Sequence, residues 1–198
     1  MKKVLSCICD EPEGKIERSV YLLDLTIENL MQFYEKASKH KTLFYDDIRG
    51  NFKKFCEAFL VQDDPNNEFD VLPKGLLWVI DDFVGVYYMT DISPARDALV
   101  HYSFFDARHR GRQLLTLNML KYVFDTYKFH RLSTFIATYA GKYVFPFVNS
   151  LGFVSEGKKR SCVLYDGKWY DALLFGLLRE ELEWVLTSKL SAAALPQD

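Results

Sequence analysis

Between Ala98 and Thr138 the spacing of apolar residues changes twice, and this change constrains the fold more than any other feature of the chain. Ala98 to Phe105 reads as a strand, Arg112 to Tyr127 carries Leu117, Leu120, Phe124 and Tyr127 as a stripe at helical spacing, and Leu132 to Thr138 reads as a strand again. Strand, loop, helix and strand in that order join two parallel strands, because only a long crossover returns the chain to the same end of a sheet. The loop at the crossover, Asp106-Ala107-Arg108-His109-Arg110-Gly111-Arg112-Gln113, brings three arginines and a glycine to a helix start. A helix start has unpaired N–H groups and the positive end of a dipole, so this loop suits a phosphate or pyrophosphate. A solvated basic turn that only caps the helix is the other reading.

The remaining segments supply more sheet and its covers. Ser19 to Leu25 reads as a strand, and Thr26 as the N-cap of a helix carrying Ile27, Leu30, Met31 and Tyr34. Asp46 or Asp47 is placed to cap a second helix with Ile48, Phe52, Phe55, Cys56 and Phe59 on one face. Asp63 to Gly75 reads as a loop, and Leu76 to Ile80, Phe83 to Met89 and Ala98 to Phe105 as an antiparallel meander. A short helix from Lys142 to Ser150 admits Pro146 only in its first turn. The chain closes with a hairpin, Phe153 to Tyr165 and Lys168 to Leu177, around Asp166-Gly167, and a helix from Arg179 to Lys189. The order β-α-α-β-β-β-α-β-α-β-β gives an α/β (α+β) fold, a mixed seven-stranded sheet with helices on both faces. Residues 1–188 are expected to form a single domain and 189–198 a flexible tail.

At 198 residues and 49% hydrophobic, the chain is long enough to bury its own core. Its 25 Lys+Arg against 27 Asp+Glu exclude a broadly basic surface, so no nucleic-acid partner is expected and any polyanion site is local. No apolar stretch approaches the ~18 residues of a membrane span, so no membrane partner is expected. Cys7, Cys9, Cys56 and Cys162 are too scattered for a disulfide framework, and the Cys7-Cys9 pair has no second ligand pair at zinc spacing, so reduced thiols, no metal and a cytoplasmic location are expected. Lys158-Lys159-Arg160 reads as a solvated edge, and Trp78, Trp169 and Trp184 as core or sheet-face aromatics.

The strand, basic loop, helix and strand resemble the acetyl-CoA site of the GNAT N-acetyltransferases, and more narrowly the branch containing ribosomal-protein N-terminal acetyltransferases. The family's Arg/Gln-x-x-Gly-x-Gly/Ala loop is matched at Arg108 and Gly111, while Gln113 departs from it. An alternative alignment sets Arg110-Gly111-Arg112 on the family's Arg-Gly-Lys, and again Gln113 replaces a glycine. Tyr122-Val123-Phe124, His130-Arg131-Leu132, Leu151-Gly152-Phe153, Glu156-Gly157, Arg160, Asp171, Gly176-Leu177-Leu178 and Glu183-Trp184 resemble the family in order and spacing. The resemblance implies that the cofactor acetyl-CoA is held by its pyrophosphate at Arg108, His109, Arg110, Gly111, Arg112 and Gln113, with its pantetheine arm along Phe104 and Phe105. It implies acetyl transfer to a primary amine, on a protein N-terminus or a small molecule. Family members often place a tyrosine or serine on the short helix, where this chain has Val144 and Val148. Tyr143 and Tyr139 are the substitutes nearby, and His101 and Asp91 are further catalytic candidates from the strands. The alternative is a catalytically degenerate member that binds acyl-CoA or serves as an interaction module; a nucleic-acid binder using the arginine loop is a third reading. Both a monomer and a homodimer are compatible with the sequence.

Overall fold

The computed structural model describes residues 1–11, 14–40, 43–62, 71–106 and 111–193, leaving aside the side chains of Tyr143 and residues 189–193. In chain order the elements are β1 (Lys2–Glu11), β2 (Gly14–Leu23), α1 (Ile27–Ser38), α2 (Phe52–Cys56), β3 (Leu60–Gln62), β4 (Val71–Pro73), β5 (Leu76–Ile80), β6 (Gly85–Ser93), β7 (Asp97–Phe104), α3 (Arg112–Tyr127), β8 (Arg131–Ala137), α4 (Gly141–Ser150), β9 (Val154–Tyr165), β10 (Lys168–Leu178) and α5 (Arg179–Ala193). Eight strands form one sheet in the order β1-β2-β5-β6-β7-β8-β10-β9, and β3 and β4 pair separately. The β7-α3-β8 crossover is the parallel unit that the periodicity predicts, and the other pairings are antiparallel.

The sheet has one strand more than the sequence reading assigns. Residues 2–11 form β1, antiparallel to β2 from Lys2↔Leu22 to Glu11↔Gly14. The alternation is complete at its end: Cys9 is fully buried while Ile8 is 64% exposed, so one face packs and the other meets water. Cys9 rests on the start of α3, and Gly111 is required there, since a Cβ would stand 2.3 Å from that of Cys9.

The second helix is shorter than its apolar stripe suggests. Asn51, not Asp46 or Asp47, caps it, accepting from Lys54 N at 3.0 Å. Asp46 is used elsewhere: its two carboxylate oxygens accept the N–H groups of Asp166 and Gly167 at 2.9 and 2.8 Å. Val71–Pro73 is strand rather than loop, and residues 63–70 of the expected loop lie outside the described residues. Pro146 is the sixth residue of α4, past the first turn, so the bond its N–H would make to the Lys142 carbonyl is missing. The last helix runs to Ala193, beyond Lys189, and 194–198 lie outside the described residues. Trp78 is a core residue, but Trp169 and Trp184 are 64% and 72% exposed, which corrects their reading as packed aromatics.

Two cores flank the sheet. On one face Trp78, Leu120, Phe124, Leu132, Leu151 and Leu177 pack beneath α3, α4 and α5. On the other, Leu30 and Phe33 of α1 and Phe55 and Phe59 pack against Leu77, Val79 and Val86. This second core takes up many of the aromatic residues, which make up 16% of the chain: Phe33 alone contacts the rings of Phe55, Phe59 and Tyr88 at 5.2, 6.2 and 5.4 Å.

An ion network fastens β1 to β2 and to the turn after β5. Arg18 of β2 bonds Glu11 of β1 at 3.2 Å and Asp81, in the turn after β5, at 2.9 Å, while the other Asp81 oxygen accepts from Ser19 N. The Glu11 side chain is 1% exposed, so removing Arg18 takes a charged partner from a buried carboxylate. Arg18→Met should therefore lower the unfolding free energy by about 3 kcal/mol, read from urea denaturation of the two proteins.

Candidate functional site

The parallel strands at the centre of the sheet are joined at one end only. β7 and β8 share the single pair Leu99↔Ser133. Outward from it each strand keeps its other neighbour: β7 pairs with β6 as far as Phe104↔Gly85, and β8 with β10 as far as Ala137↔Ala172. Along Val100 to Ser103, the backbone N–H and C=O groups that face β8 are thus left without a ladder partner among the described residues. The closed end is clamped by side chains. Ser133 Oγ donates to Asp97 at 2.6 Å, Arg131 meets Asp97 at 3.3 Å and Glu156 at 2.7 Å, and the Arg96 carbonyl accepts both His130 and Arg131 N–H groups.

The diverging strands enclose a cleft of about 180 Å³ lined by Tyr45, Tyr88, His101, Ser103, Phe135 and Tyr139 among others. Among the described residues lining it there is no Asp, Glu, Lys or Arg. The segment between α1 and α2 roofs one side, held by the Asp46 contacts to the β9–β10 turn and by Arg49, whose guanidinium lies 4.8 Å over the Tyr165 ring. That turn has Asp166 and Gly167 at φ 52° and 72°, the left-handed pair a two-residue hairpin requires.

Past the cleft, β7 ends at Phe104 and the next element is α3. Gly111 is the N-cap, no side chain caps the first turn, and that turn carries no acidic residue. Arg112 donates to the Asp106 carbonyl at 3.1 Å and lies 5.5 Å over the Phe104 ring. Gln113, which departs from the expected small residue, donates to the Ser150 carbonyl at 3.1 Å and so ties α3 to the end of α4. Phe104 remains in the sheet, and Phe105 N–H bonds Val84 O at 2.8 Å. Arg108, His109 and Arg110 lie outside the described residues.

No family model and no curated protein matches the sequence. Solved structures do. RimJ from Mycobacterium smegmatis, in complex with CoA-disulfide, aligns over 96% of this chain and 97% of its own with a TM-score of 0.64 at 15% identity. A chimera of the Vibrio cholerae spermidine N-acetyltransferase SpeG and hSSAT covers 83% of this chain and 98% of its own, TM-score 0.61, at 17% identity. A GNAT-family acetyltransferase from Bacillus anthracis covers 89% and 99%, TM-score 0.57, at 13% identity. The chain has the GNAT fold.

Within this GNAT sheet the catalytic candidates fall in different places. His101 lines the cleft on β7, stacked on Tyr88 at 4.4 Å and edge-on to Phe135 at 6.2 Å, with Nε2 3.2 Å from Thr90 Oγ1. Burial among these groups pushes its pKa down to about 4, so the ring is neutral at pH 7. Tyr139 lies at the cleft end of β8, stacked on Tyr165 at 4.1 Å, and burial first, then the neighbouring Tyr165, push its phenol up to about 12. Tyr143 is on α4, its side chain outside the described residues. Asp91 is not brought to the cleft. It sits exposed at φ 48° in the irregular end of β6, between Thr90↔Leu99 and Ser93↔Asp97, next to the clamped end of the strands. Sequence reasoning passed over Tyr45, Tyr88 and Tyr102, which also line the cleft, because nothing in a chain with 12 tyrosines separates these from packing residues.

Two pH responses follow. The His101 ring takes its proton near pH 4 when folded and near pH 6.5 when unfolded, so its contribution is full above about pH 6.5 and is lost on acidification toward 4. The ring-proton NMR titration of His101 should have its midpoint near 4, and His101→Gln should flatten the thermal-midpoint profile across that window. Asp46 is held below the ordinary carboxylate range by the Gly167 and Asp166 N–H groups, so its contribution is full above that range and is lost as pH falls through the lowered value. Asp46→Ala should lower the melting midpoint at pH 7 and differ less from the parent in acid, as measured by circular dichroism.

Proposed function

We propose that this chain is an acetyl-CoA-dependent N-acetyltransferase that acts on a primary amine, either a peptide N-terminus or a small molecule. The observation that carries the reading is the one-ended pairing of β7 and β8, which leaves a row of backbone donors and acceptors facing an uncharged cleft beside a helix start with no acid of its own. An amide-bearing arm suits such a strand edge, and a pyrophosphate suits such a helix start. The fold relation to RimJ in complex with CoA-disulfide supports the same ligand. Acetyl-CoA would supply an activated acyl group; the backbone from Val100 to Ser103 would align it, and Gly111, Arg112 and Gln113 at the helix start, with Arg108, His109 and Arg110 before them in the sequence, would hold its phosphates.

The chain's own residues set the rest of the chemistry. Tyr45, Tyr88, Phe135 and Tyr139 give the cleft aromatic walls, which lower the local dielectric and strengthen N–H dipoles aimed into it. His101 is neutral at pH 7 and bonded to Thr90, so it orients as a donor or acceptor and is a weak base. An acceptor amine enters neutral, since the described lining offers no carboxylate to hold an ammonium ion. The soluble, cytoplasmic setting expected from the sequence belongs to the same reading; among the described residues no helix is long and apolar enough to cross a membrane.

The test is thiol release from acetyl-CoA over peptides with free N-termini, amino acids and polyamines, together with calorimetry of acetyl-CoA binding. Saturable turnover on one acceptor class with 1:1 binding is expected. Tight binding without release on any amine would leave the degenerate acyl-CoA binder, and no binding would remove the cofactor altogether.

A further inference from the structure

β1 ends the sheet, and its outer edge has no ladder partner among the described residues. Natural sheets blunt such an edge with bulges, prolines or charge, because its outward N–H and C=O groups are a template for another strand. β9, at the far edge, is blunted in this way: its register against β10 shifts twice, Ser161 has φ 47°, and Lys158-Lys159-Arg160 lies along it. β1 has one bulge, between Lys3 and Leu5. From Leu5 it runs in unbroken register to Glu11, with no proline or glycine and no charge before Asp10, and Ile8 in the middle is 64% exposed. Its charges are sorted by end: Lys2 and Lys3 open the strand, and Asp10 and Glu11 close it. An antiparallel copy of β1 laid along this edge therefore sets basic end against acidic end twice, related by a twofold axis. A parallel copy sets like charge on like.

The faces of the strand fix the register. Directly opposed residues of an antiparallel pair lie on the same side of a sheet. Leu5, Cys7 and Cys9 turn to the core under α3, and Ser6, Ile8 and Asp10 are exposed on the other side. With Cys7 on the axis, Ser6 faces Ile8 of the second copy, and the two Ile8 side chains lie diagonally across the axis within reach of each other. The bulge absorbs Val4, and this one extra residue brings Lys3 level with Asp10 and Lys2 level with Glu11. The faces agree there too. Lys3 stands opposite Tyr21 of the core under α1, and Lys2 opposite Leu22 of the core under α3. Glu11 is committed to Arg18, so the Lys3–Asp10 pair, made twice, carries the selectivity. We propose that this chain forms a twofold-symmetric dimer in which β1 pairs with β1 of a second copy and joins two eight-stranded sheets into one. Main-chain hydrogen bonds supply the affinity and the charged ends set the direction. The dimer does not depend on what the cleft binds. It steadies the strand whose Cys9 seats Gly111 at the start of α3.

Sedimentation equilibrium over roughly a hundredfold range of concentration should show a reversible monomer–dimer equilibrium that weakens as salt is added. Asp10→Lys sets Lys3 against a second cation at each end of the pair, and Lys3→Glu sets Asp10 against a second anion; each should raise the dimer Kd at least about tenfold. Mixing the two single variants restores both opposite-charge pairs in a heterodimer, whose Kd should return to within about threefold of the parent value. A variant that had merely lost its fold would not recover on mixing. A parent that stays monomeric throughout overturns the proposal, a strand from a different protein then being the occupant that the edge admits. A dimer whose Kd neither single variant moves also overturns it, since another face then makes the contact. Single variants that dissociate and stay apart when mixed overturn it as well, since Lys3 and Asp10 then do not face each other.

Discussion

The site depends on a clamp. Ser133, Arg131, Asp97 and Glu156 hold the first residues of β7 and β8 together, and beyond Leu99↔Ser133 nothing pairs the two strands. Parallel strands normally bury a continuous ladder, so the divergence leaves polar backbone in the middle of a sheet, where edges are otherwise avoided. It is sustained because both outer neighbours stay paired to the end and because Gln113 ties the helix beside β7 to the helix after β8. A gap made this way has a rigid closed end and an open end set by helix packing.

Its walls fix the protonation states inside. Tyr88 and Phe135 set their rings against His101, with Tyr45 stacked on Phe135, and burial drives the imidazole neutral and holds the Tyr45, Tyr88 and Tyr102 phenols protonated. Ionised groups near the mouth are matched within the fold: Asp46 by two backbone N–H groups, Asp171 by Ser161 N–H and Lys158. Charge therefore gathers at the rim and the helix start, and the interior is left to hydrogen bonding between neutral groups.

The crossover was legible because three segments in a row showed an unambiguous period, and α3 spans Arg112–Tyr127 as that period predicts. The hairpin after Phe153 was legible from Asp166-Gly167, whose φ values only such residues adopt readily. The first strand was not, because Ile8 faces water on a sheet edge and blurs the alternation that Cys9 obeys. The stripe from Ile48 to Phe59 misled for another reason: Phe52, Phe55 and Phe59 do share a core, but only Phe52–Cys56 is helical, and the aspartate that should cap it is committed to a turn far along the chain. At the site, the loop signalled an anion, yet Gly111 is also demanded by contact with Cys9, a packing reason that no local motif reveals. The Tyr102 hydroxyl, buried with no hydrogen-bond partner among the described residues, has no sequence signature at all, since partnering is decided by residues brought together from β7, α3 and α4.

The Cys9–Gly111 contact joins residues 102 apart in sequence, and the Asp46–Asp166 contact residues 120 apart. Each closes a long loop, which must be drawn together before the contact returns any energy. The β1–β2 and β9–β10 hairpins are local and can form early, but the seat of α3 on β1 and the roof of the cleft wait for these distant closures. On a ribosome the roof segment emerges long before the turn that anchors it, so the cleft is among the last parts of the molecule to acquire its shape.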